Sequence, residues 1–337
     1  MSTTNASDNQ SGTVPPAASD IDPAASGTAA TRPRRTRGRV LVALAAGCAL
    51  LMAWHDHLPE GPGNLGSLFQ TFLPWTVLTV PVLLAAALVR RSRLAVAAVL
   101  APAVVWGCLF AGTLADKRSG GAEFTVVSHN VDENNPDPAR TARALAASGA
   151  DLLALQELSA ASTPVYEREL AARYPYSSVH LGVGLWSKHP LAGVEPVPIM
   201  PWTRAVRAAV DTPRGPVAVY AVHLASVRVS PVAGFTTGGR NDSARKLADA
   251  LRAERLPRVL VVGDFNGTDG DAALRPVTSG LRSAQREAGA GFGLTWPAAF
   301  PVVRIDQILL KGMTPLSART MPATGSDHLP VVASLRL

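Results

Sequence analysis

Three long apolar runs crowd residues 40 to 114, and nothing comparable follows them. They are Val40–Trp54, Phe72–Val89, which holds Pro74 and Pro81, and Leu94–Leu114, which is uncharged throughout. A soluble globule can bury one such helix on all sides. Three in 75 residues, parted by charged turns, fit segments that leave water for lipid. Val40–Trp54 is short for a crossing, and counting from Gly38 brings it to marginal length. The expected layout is a three-helix transmembrane region over 40–114, a linker over 115–122 and a globular domain over 123–337. Residues 1–39 are rich in Ser, Thr, Ala, Pro and Gly, with almost no large apolar side chains. Such a segment cannot bury enough surface to offset its ordering entropy, so a disordered tail is expected.

Charge orients these runs. Arg32, Arg34, Arg35, Arg37 and Arg39 precede the first, and Arg90, Arg91 and Arg93 separate the second from the third. The stretch from His55 to Gln70 has no Lys or Arg. The basic-residue rule puts the tail and the 90–93 turn in the cytoplasm. Three crossings then place the domain outside, as part of a multi-pass cell-membrane protein. Lys117 and Arg118 oppose this but are outnumbered. A cleaved leader is the other reading of the first run. Ala46-Gly47-Cys48 resembles a lipoprotein site, but the apolar stretch before Cys48 is too short and continues past it.

Both cysteines, Cys48 and Cys108, fall in expected spans. The domain therefore has no disulfide partner, and no thiolate can hold a metal there. Carboxylate, amide and imidazole donors remain, a set that favours a hard ion such as Mg²⁺. The net charge of +7 says little about partners. From residue 119 onward, 22 Lys and Arg face 19 Asp and Glu without a dense basic run. That weakens a nucleic-acid reading without excluding it.

Within the domain, strand-like runs are Phe124–Val131, Asp151–Gln156, Gly182–Ser187, Pro216–His223, Arg258–Gly263, Val302–Leu310 and Leu329–Leu337. Val217 to Val222 alternates with period two, whereas Val259 to Val262 is continuously apolar, as in a strand covered on both faces. Helical patterns lie at Pro138–Ser148, with Asp137 as cap, at Thr163–Arg173 and at Asp242–Arg255. Strands and helices do not alternate strictly. An α/β fold is expected, a two-sheet β-sandwich flanked by helices.

Candidate chemistry sits where these strands end. Asn130 closes the first, as a turn former or as an amide ligand. Glu157 follows Leu152–Gln156, where a carboxylate can hold Mg²⁺ or simply be solvated. His223 ends an alternating strand. Gly263-Asp264-Phe265-Asn266 leaves a buried strand with a carboxylate and an amide at i and i+2. Asn266-Gly267 is also a common turn pair. Asp306 is an acid in an apolar run and needs a partner, and Asp327-His328 offers an imidazole whose tautomer a carboxylate can fix.

Asn130, Gln156-Glu157, His223, Gly263-Asp264-Phe265-Asn266, Asp306 and Ser326-Asp327-His328 together resemble the endonuclease/exonuclease/phosphatase superfamily, over about 123–337. Gly184-Leu-Trp-Ser-Lys188-His-Pro190 and Thr295-Trp296-Pro297 look like its further landmarks. The resemblance implies a DNase I-like fold and a metal-dependent hydrolase of phosphoric esters or anhydrides. It implies that Glu157 binds Mg²⁺ (with Mn²⁺ as an alternative), with Asn130 nearby and Asp327 contributing. His328, oriented by Asp306, is implied as base or phosphate stabiliser, Asp264 as the group that activates water, and Asn266 and His223 as contacts to the scissile phosphate. The layout with three spans also resembles the actinobacterial teicoplanin-resistance membrane proteins of this superfamily. That implies a phosphorylated, lipid-linked cell-wall substrate at the outer membrane surface. An extracellular nuclease and a non-catalytic surface-binding module are the competing functions.

Overall fold

The structure, a computed structural model, describes residues 38–337. The expected tail over 1–39 lies almost wholly outside them.

The amino-terminal part is helical. α1 (Arg39–Ala53), α2 (Leu65–Thr71), α3 (Thr79–Val89), α4 (Arg93–Ala98) and α5 (Leu100–Leu114) follow one another, with short 3₁₀ turns between α1 and α3. The expectation of three spans is not supported. α1 has 15 residues, which at a rise of about 1.5 Å per residue falls short of a hydrocarbon core of about 30 Å. Arg93–Leu114, 22 residues, is the one described helix long and apolar enough to cross, and little of it is buried. Pro62–Thr71 and Leu73–Val89 would make a second crossing only as one span bent by 76°. Pro74 at the start of the 3₁₀ turn breaks the helical ladder there.

The domain strands are, in chain order, β1 (Phe124–Asn130), β2 (Leu152–Gln156), β3 (Tyr176–His180), β4 (Val183–Ser187), β5 (Leu191–Pro196), β6 (Ala205–Thr212), β7 (Gly215–His223), β8 (Val229–Ser230), β9 (Gly234–Phe235), β10 (Val259–Asp264), β11 (Arg282–Ser283), β12 (Asp306–Lys311), β13 (Thr314–Thr320) and β14 (Val331–Arg336). They form two six-stranded mixed sheets, ordered β13-β14-β1-β2-β4-β3 and β11-β12-β10-β7-β6-β5, while β8 and β9 make a small hairpin. The helices are α6 (Pro138–Ala147), α7 (Thr163–Leu170), α8 (Gly238–Ala253), α9 (Arg275–Thr278) and α10 (Ala284–Ala288).

Alternation explains the layering. Val217, Val219 and Ala221 face the space between the sheets with Val126, Leu152, Leu260 and Ile308. Ala218, Tyr220 and Val222 face outward under α8, against Ala244 and Leu247. Leu153 and Leu155 face the other way, against Leu145 of α6 and Tyr166 and Leu170 of α7. Val259 to Val262 is apolar without interruption because both of its faces are covered.

Each sheet has one parallel central pair, β1 with β2 and β7 with β10. Their crossovers carry α6 and α8. A parallel pair ends at the same level, so the carboxyl ends of these four strands share one edge of the sandwich.

Candidate functional site

Register gathers the polar residues at that edge. Asn130 pairs with Gln156 across the first sheet, and in the second Asp264 pairs with His223 on one side and Asp306 on the other. Gly263 makes the last step possible. Its φ of 144° and the 1.8 Å between an added Cβ and the Val222 carbonyl oxygen leave room for glycine alone. Glu157 and Asn266, just past their strands, hold left-handed φ of 59° and 46°. Strained backbone of this kind clusters where side chains must be aimed at a site.

Asp264 is fully buried and gripped twice. Its Oδ2 accepts from Asn130 Nδ2 at 3.0 Å, and its Oδ1 from the Asn266 backbone N–H at 2.8 Å. His223 Nε2 lies 3.6 Å and His328 Nε2 3.8 Å from Oδ2. Glu157, from the first sheet, reaches to 3.6 Å from the same His223 nitrogen, closing the site across the sandwich. Asn266 turns its own side chain outward from this cluster, donating to the Leu224 carbonyl.

His328 Nδ1–H donates to Asp306 Oδ2 at 2.8 Å. The loop that carries it is fixed to the first sheet. Ser326 Oγ donates to the Asn130 carbonyl and accepts from the His328 N–H. Thr295 Oγ1 accepts from the N–H groups of Ile305 and Asp306. Asp327 is more exposed. It accepts from Trp296 Nε1 at 3.0 Å and stands 3.9 Å from His328 Nε2.

The electrostatics divide the two histidines. Burial opposes charge on His328, but Asp306 and Asp264 overcome it and raise its pKa to about 10. Burial takes His223 down to about 4; Asp264 resists and Arg204 adds to the fall. Neutral His223 can therefore accept at Nδ1 from Arg204 Nη1, 2.5 Å away, which leaves the proton on Nε2. Asp264 is pushed up by burial, against the pull of His328 and with Asp306 adding to it. Glu157 is pushed up by burial, against an Asn130 hydrogen bond and with Asp264 adding to it.

Among the described residues, two groups of ligand-type side chains bring their atoms within 4.8 Å of one another, Glu157–His223–Asp264 and Asp264–Asp306–His328. The second is closed by its own hydrogen bond. The first opens outward through Glu157, whose side chain is 28% exposed. Its two carboxylates crowd together with raised pKa values, a burden that a divalent cation would relieve. Its carboxylate oxygens suit a hard ion, whereas His223, with its proton on Nε2, faces them as a hydrogen-bond donor. Asn130 borders this group, whereas Asp327 lies outside both.

All eight sequence-predicted residues thus lie along one edge or on its rim. Thr295 stands in the Thr295-Trp296-Pro297 landmark, whereas no motif in the sequence marks Arg204. Arg204 precedes β6 in an ordinary Pro-Trp-Thr-Arg stretch, and its role arises from pairing with His223 across β6 and β7.

The family model for the Endonuclease/Exonuclease/phosphatase family matches residues 127–328. That is more than half of the chain, and the chain belongs to this family. Solved structures agree in fold. An endonuclease/exonuclease/phosphatase from Beutenbergia cavernae is 20% identical, with a TM-score of 0.51 over 64% of this chain and 72% of its own. D. rerio TDP2, complexed with a single-strand DNA product, is 20% identical with a TM-score of 0.54, over 64% of this chain and 99% of its own. Beta toxin from Staphylococcus aureus is 15% identical with a TM-score of 0.51, over 63% and 99%. No curated sequence matches this chain.

Proposed function

We propose that this chain is a membrane-attached, divalent-metal-dependent hydrolase of a phosphate or pyrophosphate ester carried by a lipid at the membrane surface. The observation that carries this reading is the junction of two features. The strand edge holding Glu157, Asp264, His223 and His328 belongs to a chain whose apolar helix Arg93–Leu114 offers most of its surface to its surroundings. A site held at a surface meets lipid-borne substrate at high effective concentration.

Glu157 would hold the metal with Asp264 within reach and Asn130 alongside. Mg²⁺ is the proposed ion and Mn²⁺ the alternative. When bound, such an ion polarises a phosphoryl oxygen and offsets charge as it develops. Asp264, fixed by Asn130 and Asn266, is placed to accept a proton from an attacking water. His328 is already protonated at neutral pH, so it acts as a cation toward phosphate oxygens rather than as the base. Asp306 fixes its ring. His223 Nε2–H and Arg204 are further donors for a phosphate.

The tail is proposed to be cytoplasmic and the domain extracytoplasmic, on the strength of the arginines at 32–39 and 90–93. A contribution to teicoplanin resistance through a cell-wall intermediate is the physiological role that the resemblance supports. A nuclease or phosphodiesterase is the second reading, favoured by the structural likeness to D. rerio TDP2 with its DNA product. The near balance of charge after residue 119 argues against it.

The test is product release by the full chain in detergent with Mg²⁺, offered lipid pyrophosphates, phosphodiesters and DNA, with Asp264→Asn as control. Turnover of lipid phosphates, lost in the variant and on chelation, supports the proposal. Cleavage of DNA alone would replace it with the nuclease reading.

A further inference from the structure

A cavity of about 480 Å³ lies between the amino-terminal helices and the loops that follow β10 and precede β12. None of Glu157, His223, Asp264, Asp306 or His328 lines it, so it is separate from the strand-edge site. Its size is that of a small-molecule pocket.

The two walls differ in kind. Leu73, Pro74, Leu109 and Phe110 make one, and Phe292 meets Phe110 with ring centroids 5.4 Å apart. Thr268, Asp269, Arg286 and Arg304 make the other. Asp269 Oδ2 accepts from Arg304 Nη2 at 2.7 Å and lies 3.4 Å from Arg286 Nε. Burial works against the Asp269 charge, yet the two arginines hold its carboxyl below the usual range. Two guanidiniums therefore share one carboxylate, and one positive charge is left over. Lys117, also on the lining, adds a second; among the described residues its ammonium meets only the Gly112 carbonyl. Thr268 Oγ1 is buried with no hydrogen-bond partner. That hydroxyl is shut off from the cavity, so the surplus cations alone mark a place for an anionic acceptor.

These features select one kind of occupant. A bare anion would leave the apolar wall against water, and a neutral hydrocarbon would leave the surplus cations unpaired. We propose that the cavity binds a phosphate-bearing amphiphile, its headgroup at Arg286, Arg304 and Lys117 and its chain along α5 between Phe110 and Phe292. α5 belongs to the exposed apolar helix Arg93–Leu114, which gives a chain lateral entry. Thr268 to Gly270 follow Asn266 in sequence and Val302 to Arg304 precede Asp306, so the occupant touches the two loops that lead to the site. The proposal does not rest on hydrolysis, and its readout needs no turnover.

Cys108 lines the cavity, and Cys48 is the one other cysteine in the chain. In the full-length Cys48→Ser protein, held in phosphatidylcholine nanodiscs, the rate of Cys108 alkylation by iodoacetamide reports occupancy. Lysophosphatidate at about ten times its Kd should slow alkylation about tenfold. Monoacylglycerol of the same chain length and inorganic phosphate should leave the rate unchanged. Arg286→Gln, at an exposed side chain, should abolish the protection while leaving the lipid-free rate and the circular dichroism spectrum as they were. Absence of protection would overturn the proposal, as would equal protection by monoacylglycerol or by inorganic phosphate, or protection that survives Arg286→Gln.

Discussion

Asp264 is the residue on which the site's geometry converges, since Asn130, Asn266, His223 and His328 all lie within 4 Å of its carboxylate. Asparagine keeps its shape and removes its basicity. Asp264→Asn should lower kcat by roughly 10²–10⁴-fold with the fold intact, measured by product release and near-ultraviolet circular dichroism. A second residue-scale prediction lies far from the edge. Glu254 accepts from Arg207 Nε at 3.1 Å, Tyr220 OH at 2.9 Å and the Leu256 N–H at 2.9 Å. Burial opposes its charge, but these partners take its pKa from 4.5 to about 2. The folded value is the lower one, so this contribution is complete above pH 4.5 and lost as pH falls toward 2. Glu254→Gln should therefore lower the melting temperature at pH 7 and flatten its fall in acid; an unchanged acid slope would refute the assignment. These two acids differ in legibility. Asp264 stands out because a carboxylate after four apolar residues and a glycine has few structural uses. Glu254 sits in a charged helix end, and its partners, 34 and 47 residues away, leave no local signal.

At the scale of elements, the strands that hold the site were the readable ones. β1, β2, β4, β7, β10 and β14 fall within a few residues of the apolar runs in the sequence, because central strands bury both faces and need continuous apolar side chains. Asp137 caps α6 as its position indicates, accepting from the Arg140 N–H. β3 and β5 escaped notice because they are edge strands whose exposed residues erase the pattern. β6 is alanine-rich and alternates weakly, and β13 is mixed polar and apolar. The run Val302–Leu310 was too long an expectation. Pairing with β10 begins at Asp306; before it Val303 bridges to Trp296 and Arg304 turns away to Asp269. Gly263 is where element geometry and site meet. Gly263→Ala would force either β7 or β10 to shift, at a cost of roughly 3 kcal/mol or more. Thermal unfolding of the full chain should show that loss, and the displaced Asp264 should cost activity even in the fraction that remains folded.

The whole molecule is more than a domain with a leash. Ser67 Oγ donates to Asp271, which pairs with the wholly buried Arg240 at 2.7 Å, and Arg240 also donates to the Asn266 carbonyl. Trp75 Nε1 donates to the Val302 carbonyl at 2.7 Å, and Trp106 packs edge-on to Phe292. The amino-terminal helices thus clasp the loops that lead to Asn266 and Asp306. Apolar composition alone suggests a membrane region, but not this contact, which depends on polar side chains inside the apolar stretch. Nor did it foretell span number, which depends on helix length and bending. Topology follows from parity. One crossing, by Arg93–Leu114, would carry the domain to the side opposite the tail, whereas a second, by the bent pair Pro62–Thr71 and Leu73–Val89, would return it to the tail's side. Two crossings would also put Arg90, Arg91 and Arg93 outside, against the rule that basic residues stay in the cytoplasm. We therefore propose the single crossing, which keeps these arginines on the tail's side. Protease added to intact cells should degrade the domain after residue 119 and spare an epitope placed on the tail. Full protection of the domain, with cleavage only after the cells are opened, would show an even count and put the catalytic edge inside the cell.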